Sequence, residues 1–199
     1  MTSYGNAASS IGGLTLAWIR RRRDPCARAA AEAPREAASD RLALRSFEVV
    51  SVQIEPLGHQ HIEAAKAVIR DVCVEFFGQA PADFDDMDET SSHYTAPTGA
   101  FLVLLDRDVV VGTGAIRRID DQTCELKRMW FLPSYRGRGY GTRMSEMLIA
   151  FARSAGYQRV RLDTAPELEA ANRLYGRLGF QPIGRYNDGP CTIFMEKEL

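Results

Sequence analysis

The chain is poor in cysteine and histidine, and the few it has are not arranged to act together. Cys26, Cys73, Cys124 and Cys191 are far apart, with no CxxC and no Cys/His ligand spacing. That excludes a recognisable disulfide framework or zinc site and reads as free, mostly buried thiols in a reducing compartment, so a cytoplasmic location is expected. His59, His61 and His93 have no matching partners, and no metal is expected. No apolar run reaches the ~18–20 residues of a spanning helix, so no membrane partner is expected. Ile11–Ile19 is apolar but short and holds Gly12 and Gly13. Arg20–Arg23 follow it rather than precede it, the wrong order for a secretory leader. The formal net charge is only -1, too little for a polyelectrolyte partner of nucleic acid.

What charge there is divides unevenly. Residues 1–46 carry eight Arg and four acids, net +4, and the remainder carries 17 basic and 22 acidic residues, net -5. The first 46 residues are rich in Ala, Arg and Ser, with Pro25 and Pro34, and read as a disordered or loosely helical extension. A regulatory or nucleic-acid-contacting arm, a transit peptide, and upstream sequence with no folded role all fit it; the last is favoured. Residues 47–199 read as one folded domain with the balance of an ordinary globular protein, 45 % hydrophobic and 26 % charged.

The patterning of that domain predicts its elements. Phe47–Ile54 is β-branched and alternating, a strand broken by Pro56 and Gly58. Ile62, Ala65, Ile69, Val72, Cys73 and Phe76 recur at helical spacing over His59–Phe77, which Gly78 stops. Pro81–Thr98 reads as a short helix and loop. Ala100–Leu105 and Val109–Arg117 flank Asp106-Arg107-Asp108 as a hairpin. Cys124–Phe131 is a strand, Gly139–Ala155 a helix and Arg159–Asp163 a strand. Pro166–Leu178 is a helix with Pro in its first turn and Gly179 at its stop. Ile183–Tyr186 and Cys191–Glu196 are expected to pair as final strands. Three successive strands followed by a β-α-β unit predict an α/β (α+β) protein: a mixed sheet of six to seven strands with helices on both faces.

The informative segment is Glu125–Thr142, ELKRMWFLPSYRGRGYGT. A strand runs through Pro133 into a loop, Arg136-Gly137-Arg138-Gly139-Tyr140-Gly141, that opens a helix. Glycines there let a backbone approach a ligand closely. The unpaired N–H groups of the first helical turn and the helix dipole favour an anion, and Arg136 and Arg138 add mobile cations. A tight turn with surface arginines would look the same. A P-loop is excluded because no GK[ST] follows, and the GxGxG spacing fits a dinucleotide fingerprint poorly.

Arg136-x-x-Gly139-x-Gly141 matches the [QR]xxGx[GA] motif of the GNAT acyltransferases. The strand ELKRMWFLP before it and RLDTAPELEAANRLYGRLGF after it are similar to that superfamily's fourth strand and its fifth strand and helix. The resemblance spans about Phe47 to Leu199. It implies a splayed gap between the fourth and fifth strands that takes acetyl-CoA as acyl donor. Its pantetheine arm would lie on the backbone of Met129, Trp130 and Phe131, and its diphosphate on Arg136, Gly137, Arg138, Gly139, Tyr140, Gly141 and Thr142. Asn172 would face the arm.

The resemblance also implies an N-acetyltransferase and its proton chemistry. An alkylamine has a pKa near ~10.4, so its neutral form at pH 7 costs about 4.6 kcal/mol, and a base helps. A proton donor helps the thiolate leave. On spacing alone Tyr175 reads as a core tyrosine, because Ala171, Leu174, Tyr175 and Leu178 share a helical face; the resemblance makes it the general acid. Glu125 stands eleven residues before Arg136, the spacing of the catalytic glutamate in the histone-acetylating branch, which makes it the candidate base. A pairing with Lys127, or a water chain as base, is the alternative. Alternation places Glu125, Lys127, Met129 and Phe131 on one strand face. Glu75, Phe76, the acidic run Asp83–Glu89 and Tyr186 are expected walls of the acceptor pocket, the run itself being more simply a solvated face. The acceptor expected is the primary amine of a small molecule. A protein lysine or N-terminal amine, and an acyl-CoA sensor without turnover, are the alternatives, and a homodimer is compatible with the superfamily.

Overall fold

The computed structural model describes residues 52–81, 84–87 and 92–199. The extension 1–46, with Cys26, and the first part of the strand expected at 47–54 lie outside the described residues. β1 (Gln53–Pro56) is an edge strand. Pro56 therefore closes it rather than breaking it, because at an edge a missing N–H need not cost a ladder bond. A 3-10 turn, His59–His61, leads into α1 (Ile62–Phe77), which ends at Gly78 with φ +71° and its N–H on the Val74 carbonyl. A single 3-10 turn, Asp85–Met87, stands where a short helix was expected.

β2 (Ala100–Asp106) and β3 (Val109–Arg118) form the expected hairpin. Arg107 and Asp108 both take positive φ, as a primed two-residue turn requires. β4 (Thr123–Phe131) follows, then α2 (Tyr140–Ser154), β5 (Arg159–Thr164), α3 (Glu169–Arg177), β6 (Gln181–Pro182) and β7 (Ile193–Glu198). The seven strands run in the order β1-β2-β3-β4-β5-β7-β6, and the β4–β5 pair is parallel while the others are antiparallel.

The interior strand β2 is buried on both faces, which shows the two layers of core. Phe101, Val103 and Leu105 meet Ala65, Val68, Ile69 and Val72 of α1. Leu102 and Leu104 belong to the other core, with Met144, Leu148, Ile149 and Ala152 of α2 and Val160 and Leu162 of β5. The mixed sheet with helices on both faces is as the sequence predicts.

Two boundaries differ. α3 starts at Glu169, not Pro166, because Pro166 and Glu167 sit in a turn closed by the Leu168 N–H on the Ala165 carbonyl, and Leu168 itself is non-helical. The last strand pair is β6 with β7, so Tyr186 and Cys191 lie in a loop rather than on strands. Arg185 organises that loop by donating to the carbonyls of Asn187, Gly189 and Cys191.

Candidate active site

β4 and β5 pair only at Thr123–Arg159, Cys124–Val160 and Glu125–Arg161. Beyond Glu125, β4 continues to Phe131 held by β3, and β5 continues to Thr164 held by β7. A gap therefore opens between the two parallel strands, with a backbone edge of β4 left without a strand partner.

A bulge reorients β4 as it enters the gap. Thr113 opposes Trp130 while Ala115 opposes Lys127, so β4 carries one extra residue there. Arg128 takes φ +57°, and its carbonyl accepts a 2.6 Å bond from the Thr113 hydroxyl. The single-face expectation for Glu125, Lys127, Met129 and Phe131 is thereby corrected. Cys124 and Leu126 and, past the bulge, Met129 and Phe131 pack on the α2 side, while Trp130 packs on the α1 side. Glu125 and Lys127, alternating with Cys124 and Leu126, lie on the opposite face of β4 from them.

The loop after β4 ends in a helix start built from glycine. Gly137 has φ +70° and Gly139, the residue capping α2, has φ +84°. No side chain caps α2, no acid stands in its first turn, and its first i to i+4 bond is Arg143 N–H to the Gly139 carbonyl. The amides of Tyr140, Gly141 and Thr142 thus have no acceptor within the helix. A Cβ on Gly141 would stand 3.3 Å from Leu174 Cδ2 of α3, whereas one on Gly139 would meet open space. Gly139 is required by its backbone conformation, not by crowding within the protein.

Arg136 is not the mobile cation the sequence suggests. Its guanidinium grips the carboxylate of Glu75 in α1 at 2.6 and 2.7 Å, and its Nε donates to the Phe131 carbonyl at 2.7 Å. It also lies 5.0 Å over the Phe76 ring. Glu75 and Phe76 are thereby drawn into holding the loop, and the Phe131 carbonyl is already engaged. Arg138 rests over the Tyr135 ring, whose hydroxyl donates to Asp106.

On the far side of the gap, Asn172 of α3 donates to the Ala165 carbonyl at 2.9 Å, and its Oδ1 is buried without a partner. Tyr175, one turn along, is 6 % exposed, and its ring meets Phe180 edge-on. Its hydroxyl makes no hydrogen bond to a described residue. Burial, with the charge of Asp163, pushes this phenol above the ordinary tyrosine range, so it stays protonated at neutral pH.

Glu125 is 1 % exposed, and both its oxygens are engaged. Oε2 accepts from Arg117 Nε at 2.7 Å and lies 3.7 Å from Lys127 Nζ; Oε1 accepts from the Tyr186 hydroxyl at 2.8 Å. Lys127 also lies 3.6 Å from Asp163, which accepts from Asn187. The Tyr186 contact is 61 residues long, and the sequence, which placed Tyr186 only as a wall, holds no signal for it. The acidic run is partly corrected too: Asp86 is no solvated charge but pairs with Arg128 and accepts from Tyr94. Its neighbours Asp83, Asp88 and Glu89 lie outside the described residues.

Comparison with known proteins agrees with this geometry. Residues 66–180 match the family model described as the acetyltransferase (GNAT) family. Over 148 residues the chain is 34% identical to the uncharacterized N-acetyltransferase YjgM of Escherichia coli (strain K12), covering 68% of this chain and 88% of that one. An acetyltransferase structure from Streptococcus agalactiae is 26% identical, with a TM-score of 0.65 over 74% of this chain and 98% of that one. The PaiA N-acetyltransferase of Thermoplasma acidophilum, solved in complex with coenzyme A, shares the fold at 18% identity and a TM-score of 0.59, over 75% and 99% of the two chains. A gap between parallel strands, a glycine-capped helix beside it and the match across both place this chain in the acetyltransferase (GNAT) family.

Proposed function

We propose that the chain transfers an acetyl group from acetyl-CoA to the primary amine of a small molecule, with Tyr175 as general acid. The observation that carries this reading is the buried, unpartnered Oδ1 of Asn172, which stands one helical turn before Tyr175 on α3 beside the gap. A buried polar atom without a partner is costly to a fold unless a ligand satisfies it. The PaiA protein, with the same fold, was solved with coenzyme A.

The residues fit that donor. The amides of Gly139, Tyr140, Gly141 and Thr142 are suited to its diphosphate, with Arg138 as the nearby cation and Gly137 shaping the turn. The backbone edge of β4 over Met129, Trp130 and Phe131 that β5 does not pair is suited to its pantetheine amides, and Asn172 Oδ1 can accept from one of them. Arg136 acts at one remove, by fixing the loop to α1. Bound acetyl-CoA supplies an activated thioester acetyl. Tyr175, held protonated by its burial, donates a proton to the departing sulfur.

The test is a thiol-release assay with acetyl-CoA against a panel of small primary amines and lysine peptides, on the full chain. Amine-dependent release with small amines supports the reading. Release only with peptides would move the acceptor to protein, and no release with any amine would remove the activity.

A further inference from the structure

Glu125 matches the position expected of a base, yet it is enclosed. With 1 % of its surface exposed and Tyr186 seated on Oε1, an amine has no direct approach to it. The phenol of Tyr186 is half-buried, and among the described residues its hydroxyl bonds to that carboxylate. It is held in place on two sides, by an edge contact with Phe194 at 5.4 Å and by the Arg161 guanidinium 5.4 Å over its ring. Asp163 acts electrostatically on both Tyr186 and Tyr175.

We propose that Tyr186 is a second catalytic tyrosine, which takes the proton of the acceptor amine and passes its own to Glu125. This rests on the acetyltransferase reading above. The ammonium N–H breaks as a proton moves to the Tyr186 oxygen, while the Tyr186 proton moves to Glu125 Oε1. The freed nitrogen lone pair then forms the C–N bond to the acetyl carbon, and the C–S bond breaks with its electron pair leaving on sulfur. Sulfur takes the Tyr175 proton, and the Tyr175 phenolate recovers a proton from the acylated nitrogen. Glu125 returns its proton to water through Tyr186, so the turnover releases amide, thiol and one proton.

The surroundings suit a terminal acceptor. Arg117 from β3 and Lys127 from β4 face the carboxylate, Asp163 from β5 balances Lys127, and the Arg161–Glu196 pair between β5 and β7 closes the tyrosine side. The phenol itself stays protonated, its ionisation opposed by burial first and by the Glu125 charge second.

The test is the pH dependence of kcat/KM for the amine in wild type and Tyr186→Phe, both as full chains. Phenylalanine keeps the ring on Phe194 and under Arg161, so the loop is preserved. With the relay, the ammonium form is productive, and kcat/KM depends weakly on pH around neutrality. Without it only the neutral amine reacts, so the variant should lose about 100-fold near pH 7. Its kcat/KM should then climb tenfold per pH unit toward the amine's pKa of about 10.4, narrowing the gap, while the acetyl-CoA affinity is unchanged. Adding Glu125→Gln should slow Tyr186→Phe no further, because one relay is removed only once. A variant profile parallel to wild type, whatever its height, would show a merely structural tyrosine and overturn the relay alone. A wild type that releases no thiol with any amine would overturn the transferase reading and the relay together.

Discussion

The carboxylate of Glu75, at the end of α1, is forked by both terminal nitrogens of Arg136 in the loop before α2, 61 residues later. That contact ties the glycine loop to α1, and the role we propose for the motif arginine is to position the loop. Removing its partner therefore separates two roles. If Arg136 were a phosphate ligand, Glu75→Gln would release it and leave coenzyme A affinity equal or higher. The positioning role gives the reverse, a loss of about fivefold or less for an exposed pair, read by calorimetric titration. Arg136→Lys should fall as far, since an ammonium cannot replace the fork.

Tyr175→Phe removes a hydroxyl that no described residue bonds. Nothing in the fold is left unpaired by the change, so the melting temperature should hold or rise slightly. Turnover with acetyl-CoA and amine should fall about 10-fold or more, with donor affinity kept. Unchanged turnover would take Tyr175 out of the mechanism.

The two glycines at the helix start should fail for different reasons. Gly139→Val puts a β-branched residue at φ +84°, a strain of at least about 1–2 kcal/mol, and its side chain stands where the donor's diphosphate would lie. Coenzyme A binding should be lost while the protein still folds. Gly141→Val has ordinary helical backbone but would crowd Leu174, with a Cβ already at 3.3 Å, so it should lower the melting temperature as well as the affinity. Normal affinity in Gly139→Val, by calorimetry, would reject the cradle.

Asp86 links stability to acid. Burial would raise its pKa, but the bonds from Arg128 and Tyr94 more than offset this and hold it below the ordinary carboxylate range. A depressed folded pKa contributes stability that is complete above the unfolded value, about 3.9, and is lost as pH falls through the lower folded value. Denaturant titrations should show this loss below about pH 4 in wild type. Asp86→Asn should cost about 3 kcal/mol at neutral pH by leaving Arg128 unpaired, and should show a smaller loss on acidification. Equal slopes in the two proteins would exclude the linkage.

The readable parts of the molecule are those whose cause is local. Gly78 and the Arg107-Asp108 turn mark real boundaries because a positive φ or a two-residue turn leaves a signature in its own residues. The loop from Arg136 to Gly141 is legible for the same reason. The bulge at Arg128 is not, because Glu125 to Phe131 alternates as a regular strand would, and only the pairing with Thr113 shows the extra residue. Nor are the partners of Arg136, Glu125 and Asp86, since each charge is matched across 42 or 61 residues, or across a strand pair, by a choice among many acids and arginines. Tyr186 escaped its role because its importance lies wholly in the carboxylate it covers. The final strands were misplaced by a few residues because Arg185 holds the loop through backbone carbonyls, a role its sequence context does not announce.

The central claim is that the amides at the start of α2 grip the diphosphate of a thioester donor and bring its sulfur to Tyr175. A crystal structure of the chain with acetyl-CoA tests it most directly. The expected result is the diphosphate on the amides of Gly139 to Thr142, Asn172 Oδ1 bonded to the pantetheine, and the sulfur within about 3.5 Å of the Tyr175 hydroxyl. A donor bound elsewhere, or a sulfur remote from that phenol, would contradict the account.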